Sequence, residues 1–130
     1  MKKVIIVLIV LILVALCIFL LTAKPSLKPE KGTYPAGCTE VHAKVKNVMP
    51  GKYSTSEAYV LEKLDGGIWL PVKSHAFFTD IGYEVGVRSE FVFDLTKYSD
   101  GLTEGQYRIL KTFYTKNGEA KELSFEFTVK

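Results

Sequence analysis

Two hydrophobic patterns divide the chain. Residues 4–21 are apolar without a break, 18 in a row, and Lys2 and Lys3 stand directly before them. As an α-helix, such a run rises about 27 Å, close to the ~30 Å of hydrocarbon in a bilayer. It has no polar face, so it is not the amphipathic helix of a soluble core. A cationic end followed by an apolar core is the layout of a secretory signal or a signal anchor, and this core exceeds the roughly 7–15 residues usual for a cleaved signal. Cleavage after Ala23 would put Leu21 where a small residue is preferred, and lipidation at Cys17 would put Leu16 in the same difficulty. The expectation is a retained anchor over residues 1–22, with a cleaved, secreted form as the alternative. Lys2 and Lys3 would stay in the cytoplasm, leaving everything after the helix outside.

Residues 23–32 read as a linker. Pro25 and Pro29 forbid a continuing helix, and Lys24, Lys28 and Lys31 leave little to bury. Beyond Gly32 the period is two. Residues 39–47 alternate, with Val41, Ala43 and Val45 on one face and His42, Lys44 and Lys46 on the other. Residues 49–52 read as a turn. Residues 57–64 and 68–72 form a hairpin about Asp65-Gly66-Gly67, a turn signal because these residues tolerate positive φ. The returning strand carries Trp69, expected in the core. Residues 73–86 form an irregular connection rich in apolar side chains. Residues 88–95 alternate again, and residues 106–114 and 121–130 form a terminal hairpin about Lys116-Asn117-Gly118-Glu119. These six or seven strands predict an all-β fold, an antiparallel β-sandwich over residues 33–130 with one helix before it. A small barrel is the alternative.

Leu102-Thr103-Glu104-Gly105-Gln106-Tyr107 has the spacing of a tyrosine corner, in which Tyr107 would bond backbone a few residues upstream and Gly105 would permit the sharp entry. Three further segments carry a resemblance. Val60 to Trp69 contains an LEKL-turn-W hairpin; Phe91-Val92-Phe93-Asp94-Leu95 is an inward-alternating strand; Gly105 to Lys111 reads G-Q-Y-R-I-L-K. In this order they resemble a bacterial immunoglobulin-like domain of the exported, cell-surface type. The resemblance implies an immunoglobulin-like sandwich and export, and brings no catalytic set.

Charge narrows the partners. The chain is formally +3, but setting aside Lys2 and Lys3 leaves 15 Lys and Arg against 14 Asp and Glu, a net of +1 with no polybasic cluster. Nucleic acid is not an expected partner. Cys17 and Cys38 are the only cysteines and lie in different segments, so no disulfide is expected within a chain; Cys38 reads as a free thiol, an intermolecular bridge or, the favoured reading, a buried small apolar residue.

Chemistry finds little to use. Cys38, His42, Met49 and His75 are copper-type ligands, but a blue-copper site needs two His and a Cys in one plane, and no Cys or His lies in the last two strands, so the loop near the C-terminus cannot contribute. Ser74 and His75 are neighbours that point to opposite faces of an extended chain. Glu57, Glu62, Asp65 and Asp94 fall in strands or turns. No catalytic residue, metal ligand or cofactor site is therefore expected. Tyr34, Tyr53, Tyr59, Tyr83, Tyr98 and Tyr114 fall at strand ends or loops, where they could bind a partner or cap the sandwich. The favoured binding surface is the irregular segment, with Phe77, Phe78 and Tyr83 as anchors and His75 as the polar contact. The expected role is interaction or structure at the cell surface, for a surface protein or cell-wall partner. The alternative is a secreted protein that binds a metal or a cell-wall glycan.

Overall fold

The computed structural model describes residues 1–22, 24–46, 53–74, 78, 82–86, 89–98 and 102–130. The apolar run forms α1 (Lys2–Thr22), and its described side chains from Val4 to Phe19 are all exposed. By length and composition α1 can cross a membrane.

The remainder is β structure. The strands are β1 (Ser26–Pro29), β2 (Thr33–Tyr34), β3 (Glu40–Lys46), β4 (Tyr53–Thr55), β5 (Val60–Asp65), β6 (Ile68–Pro71), β7 (Tyr83–Glu84), β8 (Glu90–Asp94), β9 (Gly105–Thr115) and β10 (Ala120–Val129). A short 3₁₀ turn, Leu95–Lys97, follows β8, with the Asp94 carboxylate accepting from the Thr96 N–H. One sheet has the order β1-β3-β8. The other runs β2-β10-β9-β4-β7, with β5 also on β9 and β6 on β5. All pairings are antiparallel except that of β2 with β10.

The alternation read from the sequence sorts the faces. Val41, Ala43 and Val45 of β3 and Phe91 and Phe93 of β8 are buried. So are Leu61, Ile109, Phe113, Phe125, Phe127 and Val129 of the larger sheet. Burial of one face per sheet, at roughly 25 cal/mol per Å² of apolar surface, is what holds the sandwich closed. Ring pairs join the two sheets, Phe91 meeting Phe113 at 5.8 Å and Phe93 meeting Phe125 at 5.7 Å. The β5–β6 turn has Gly66 at φ 57° and Gly67 at φ 82°, so both central residues take the left-handed conformation that a two-residue hairpin needs.

Two expectations are corrected. The stretch read as linker contains β1, which pairs with β3 from Ser26↔Lys46 to Pro29↔Ala43 and buries Leu27. A proline at the end of an edge strand is tolerated because its missing N–H is not needed there. Trp69 is outside the core. The β5–β6 hairpin lies at the margin of its sheet, Ile68, Leu70 and Pro71 are exposed, and Trp69 is half-buried beneath the Arg108 guanidinium, 4.7 Å from its ring. Arg108 is held there by Glu62 at 2.6 Å.

Four short strands, β1, β2, β4 and β7, add to the six read from alternation. The turn expected at residues 49–52 lies outside the described residues.

Candidate functional site

The long strand β9 organises the site. One edge of β9 pairs with β10 along its whole length; the other is shared end to end by β4, opposite Phe113 to Thr115, and β5, opposite Tyr107 to Leu110. Between the two, residues 56–59 leave the ladder, and their carbonyls need other donors. Lys111 supplies them. Its Nζ donates to Ser56 O at 2.5 Å and Ala58 O at 3.3 Å, and Thr55 Oγ1 donates to Thr112 O at 2.8 Å.

Lys111 is 2 % exposed. Its ammonium lies 5.1 Å from the Phe91 ring centroid and 5.8 Å from that of Phe93, where ring faces offset part of the lost hydration. Burial nevertheless lowers its pKa from 10.5 to about 8, against a raising influence from Glu57.

Lys111 forms the floor of a cleft of about 280 Å³ bordered by β8. Tyr59, Phe78, Tyr83, Phe91 and Phe93 supply its aromatic wall, and Glu57, Glu90, Asp94 and Lys97 its polar rim. Among the described residues β8 is one of the two edge strands of the smaller sheet, β1 being the other. Behind the cleft, Tyr59 Oη donates to Asp94 O and Tyr98 Oη donates to Tyr59 O. Burial raises both phenols, Tyr98 to about 12.

The expected binding residues separate here. Phe78 packs on Tyr59 at 5.0 Å and on Tyr98 at 6.2 Å, with the Lys97 ammonium 4.5 Å above its ring. It covers the core as well as lining the cleft. Tyr83 sits on the two-residue edge strand β7, opposite Thr55, and is 41 % exposed. His75 and Phe77 lie outside the described residues. Of the six tyrosines at strand ends and loops, Tyr34, Tyr53, Tyr59 and Tyr98 are buried, and only Tyr83 and Tyr114 are exposed. Cys38 is half-buried against the core, and burial raises its thiol pKa.

At the other end of β9, Tyr107 Oη donates to Thr103 O at 2.9 Å, four residues upstream. That is the bond of a tyrosine corner. Gly105 has φ +153°, and a Cβ there would stand 2.8 Å from Lys63 Cε. Lys63 in turn donates to Thr103 Oγ1 at 2.9 Å and lies over the Tyr107 ring.

Two packed sheets, antiparallel but for the β2–β10 pair, with a tyrosine corner define an immunoglobulin-like β-sandwich. The model of the bacterial Ig-like domain family matches residues 22–128, and the chain belongs to that family. No curated protein matches it. The chain is thus a bacterial Ig-like domain preceded by a hydrophobic N-terminal helix.

Proposed function

We propose that this chain is a membrane-tethered module whose sandwich sits outside the cytoplasm and acts by binding or by structure, without bond-making chemistry. The observation that carries the reading is α1. It exposes apolar side chains on every face and none of its apolar window is buried against the rest of the chain. A surface of that kind is stable in hydrocarbon and not in water. Lys2 and Lys3 orient it with the sandwich outside.

The cleft beside β8 is the binding surface this reading favours. It joins aromatic area to a mixed-charge rim, the composition of a recognition site. Lys111 is poorly placed to act as a nucleophile, since the Ser56 and Ala58 carbonyls already accept its protons.

Fractionation tests the tether. The 130-residue chain should stay with membranes at its full mass, and its sandwich should be digested by protease added outside spheroplasts. A mature N-terminus at Lys24 in the medium would overturn the tether in favour of the secreted alternative. A photo-crosslinking residue at position 83 should trap a surface partner in cells, whereas one at Ile68 on β6 should not. Trapping at 68 and not at 83 would move the binding face to the β5–β6 hairpin.

A further inference from the structure

The outer face of the smaller sheet carries a side-chain group independent of the tether. His42 points outward from the central strand β3, because its neighbours Val41 and Ala43 point into the core. Three carboxylates surround its ring. Glu40 Oε1 lies 3.1 Å from Nε2, Glu90 Oε1 lies 3.3 Å from Nδ1, and Glu30 Oε2 lies 3.9 Å from Nδ1. The backbone that presents them is fixed by the β1–β3–β8 ladders, which the Glu30 N–H extends by donating to His42 O at 2.8 Å.

The arrangement has an electrostatic demand. A neutral imidazole has one N–H and one lone pair. With Nε2–H donating to Glu40, the Nδ1 lone pair faces the carboxylates of Glu30 and Glu90, and three electron-rich groups converge. Only a cation at that point makes the convergence favourable. A proton on Nδ1 serves Glu90 by a hydrogen bond and Glu30 only as an ion pair at 3.9 Å. A metal ion serves all three. With Zn–N and Zn–O bonds of about 2.0–2.2 Å in tetrahedral geometry, neighbouring ligand atoms stand about 3.4 Å apart. The Nδ1 separations of 3.3 and 3.9 Å bracket that value, and the three ligand atoms of Glu30, His42 and Glu90 all lie within 4.8 Å of one another. Glu40 then takes the place of the carboxylate that commonly holds the other ring nitrogen of a metal-bound histidine.

We propose that Glu30, His42 and Glu90 form a surface site for a divalent transition-metal ion of the zinc type, with Glu40 orienting the imidazole and a fourth position left to solvent or a partner. The donor set separates it from a site for hard cations, because Ca²⁺ and Mg²⁺ take oxygen ligands and make little use of an imidazole. Glu90 also borders the cleft, so a bound ion would lie beside the proposed recognition surface.

Isothermal titration of the full chain in non-ionic detergent with Zn²⁺ at pH 7.5 tests the site. One Zn²⁺ should bind per chain, undisplaced by millimolar Ca²⁺ or Mg²⁺. His42→Gln and Glu90→Gln should each weaken binding tenfold or more, and Glu40→Ala about tenfold. Cys38→Ser should leave it unchanged. The His42 and Glu90 side chains are 33 % and 47 % exposed, so their variants should keep the parent circular dichroism spectrum. Absence of Zn²⁺ binding would overturn the proposal, reducing the group to an imidazolium among carboxylates. Binding abolished by Cys38→Ser but indifferent to His42→Gln, or binding displaced by Ca²⁺, would overturn it equally.

Discussion

Lys111→Met removes an ammonium from the core while keeping a flexible chain of similar length. In the folded protein the pKa of Lys111 falls from 10.5 to about 8. A shift of that size corresponds to on the order of 3 kcal/mol favouring the neutral amine. The sign follows from proton counting. Between pH 8 and 10.5 the unfolded chain holds the lysine proton and the folded chain has released it, so folding becomes more favourable as pH rises. The neutral amine still has two N–H groups for Ser56 O and Ala58 O, so nothing is orphaned. In Lys111→Met those carbonyls lose their donors, at about 1–3 kcal/mol, while the ammonium's desolvation disappears. At pH 7 the two effects nearly cancel. At pH 10 the wild type should be the more stable by up to about 3 kcal/mol. Urea denaturation in detergent, followed by Trp69 fluorescence at half-unit steps from pH 7 to 10, reads this difference. Comparing the two chains also cancels Cys38 and the buried tyrosines, whose raised pKa values act in the opposite direction. A difference that stays within about 0.5 kcal/mol over the whole range would refute the burial argument.

Two substitutions probe the ends of the larger sheet. Tyr107→Phe should cost about 1–3 kcal/mol in the same melts, because Thr103 O loses its donor beside a ring that is 2 % exposed. A loss below about 0.3 kcal/mol would mean that water replaces the hydroxyl. Trp69→Ala should cost under about 2 kcal/mol, well short of the roughly 3–5 kcal/mol of a core aromatic, since only partial burial and the contact with Arg108 are removed. With Trp69 gone, this melt is followed by circular dichroism, and a loss above 3 kcal/mol would return Trp69 to the core.

Much of the sandwich was legible because single-faced burial writes itself as period two. The terminal strand shows it best, with Phe125, Phe127 and Val129 buried as their alternation requires. β1 was not legible, since Ser-Leu-Lys-Pro offers one apolar residue and ends in a proline, and its pairing comes from β3. β4 and β7, of three and two residues, are too short to show a period. Lys111 carries a signal in the sequence: it occupies the same alternating face of β9 as Tyr107, Ile109 and Phe113, where a charge is anomalous. The tyrosines misled in the other direction. Position near a strand end does not distinguish a capping ring from a presented one, and four of the six are buried by neighbours distant in sequence. Of the group around His42, only Glu40, two residues away on the same strand face, has a local spacing. Glu30 and Glu90 reach it only through strand pairing, from 12 and 48 positions away.

The early start of the sandwich changes the mechanics of a tether. Had the domain begun after Gly32, ten free residues could have swung it through a radius of about 33–36 Å. Because β1 opens at Ser26 and α1 ends at Thr22, the free chain between them spans at most about 14 Å. With α1 in the bilayer, the sandwich is a short-leashed body. So tethered, it would sample a thin shell above its own helix, and would meet molecules that diffuse in or along the same membrane more often than those farther away. Force applied between membrane and domain would enter through β1, which among the described residues pairs only with β3, and that strand would be the first to yield.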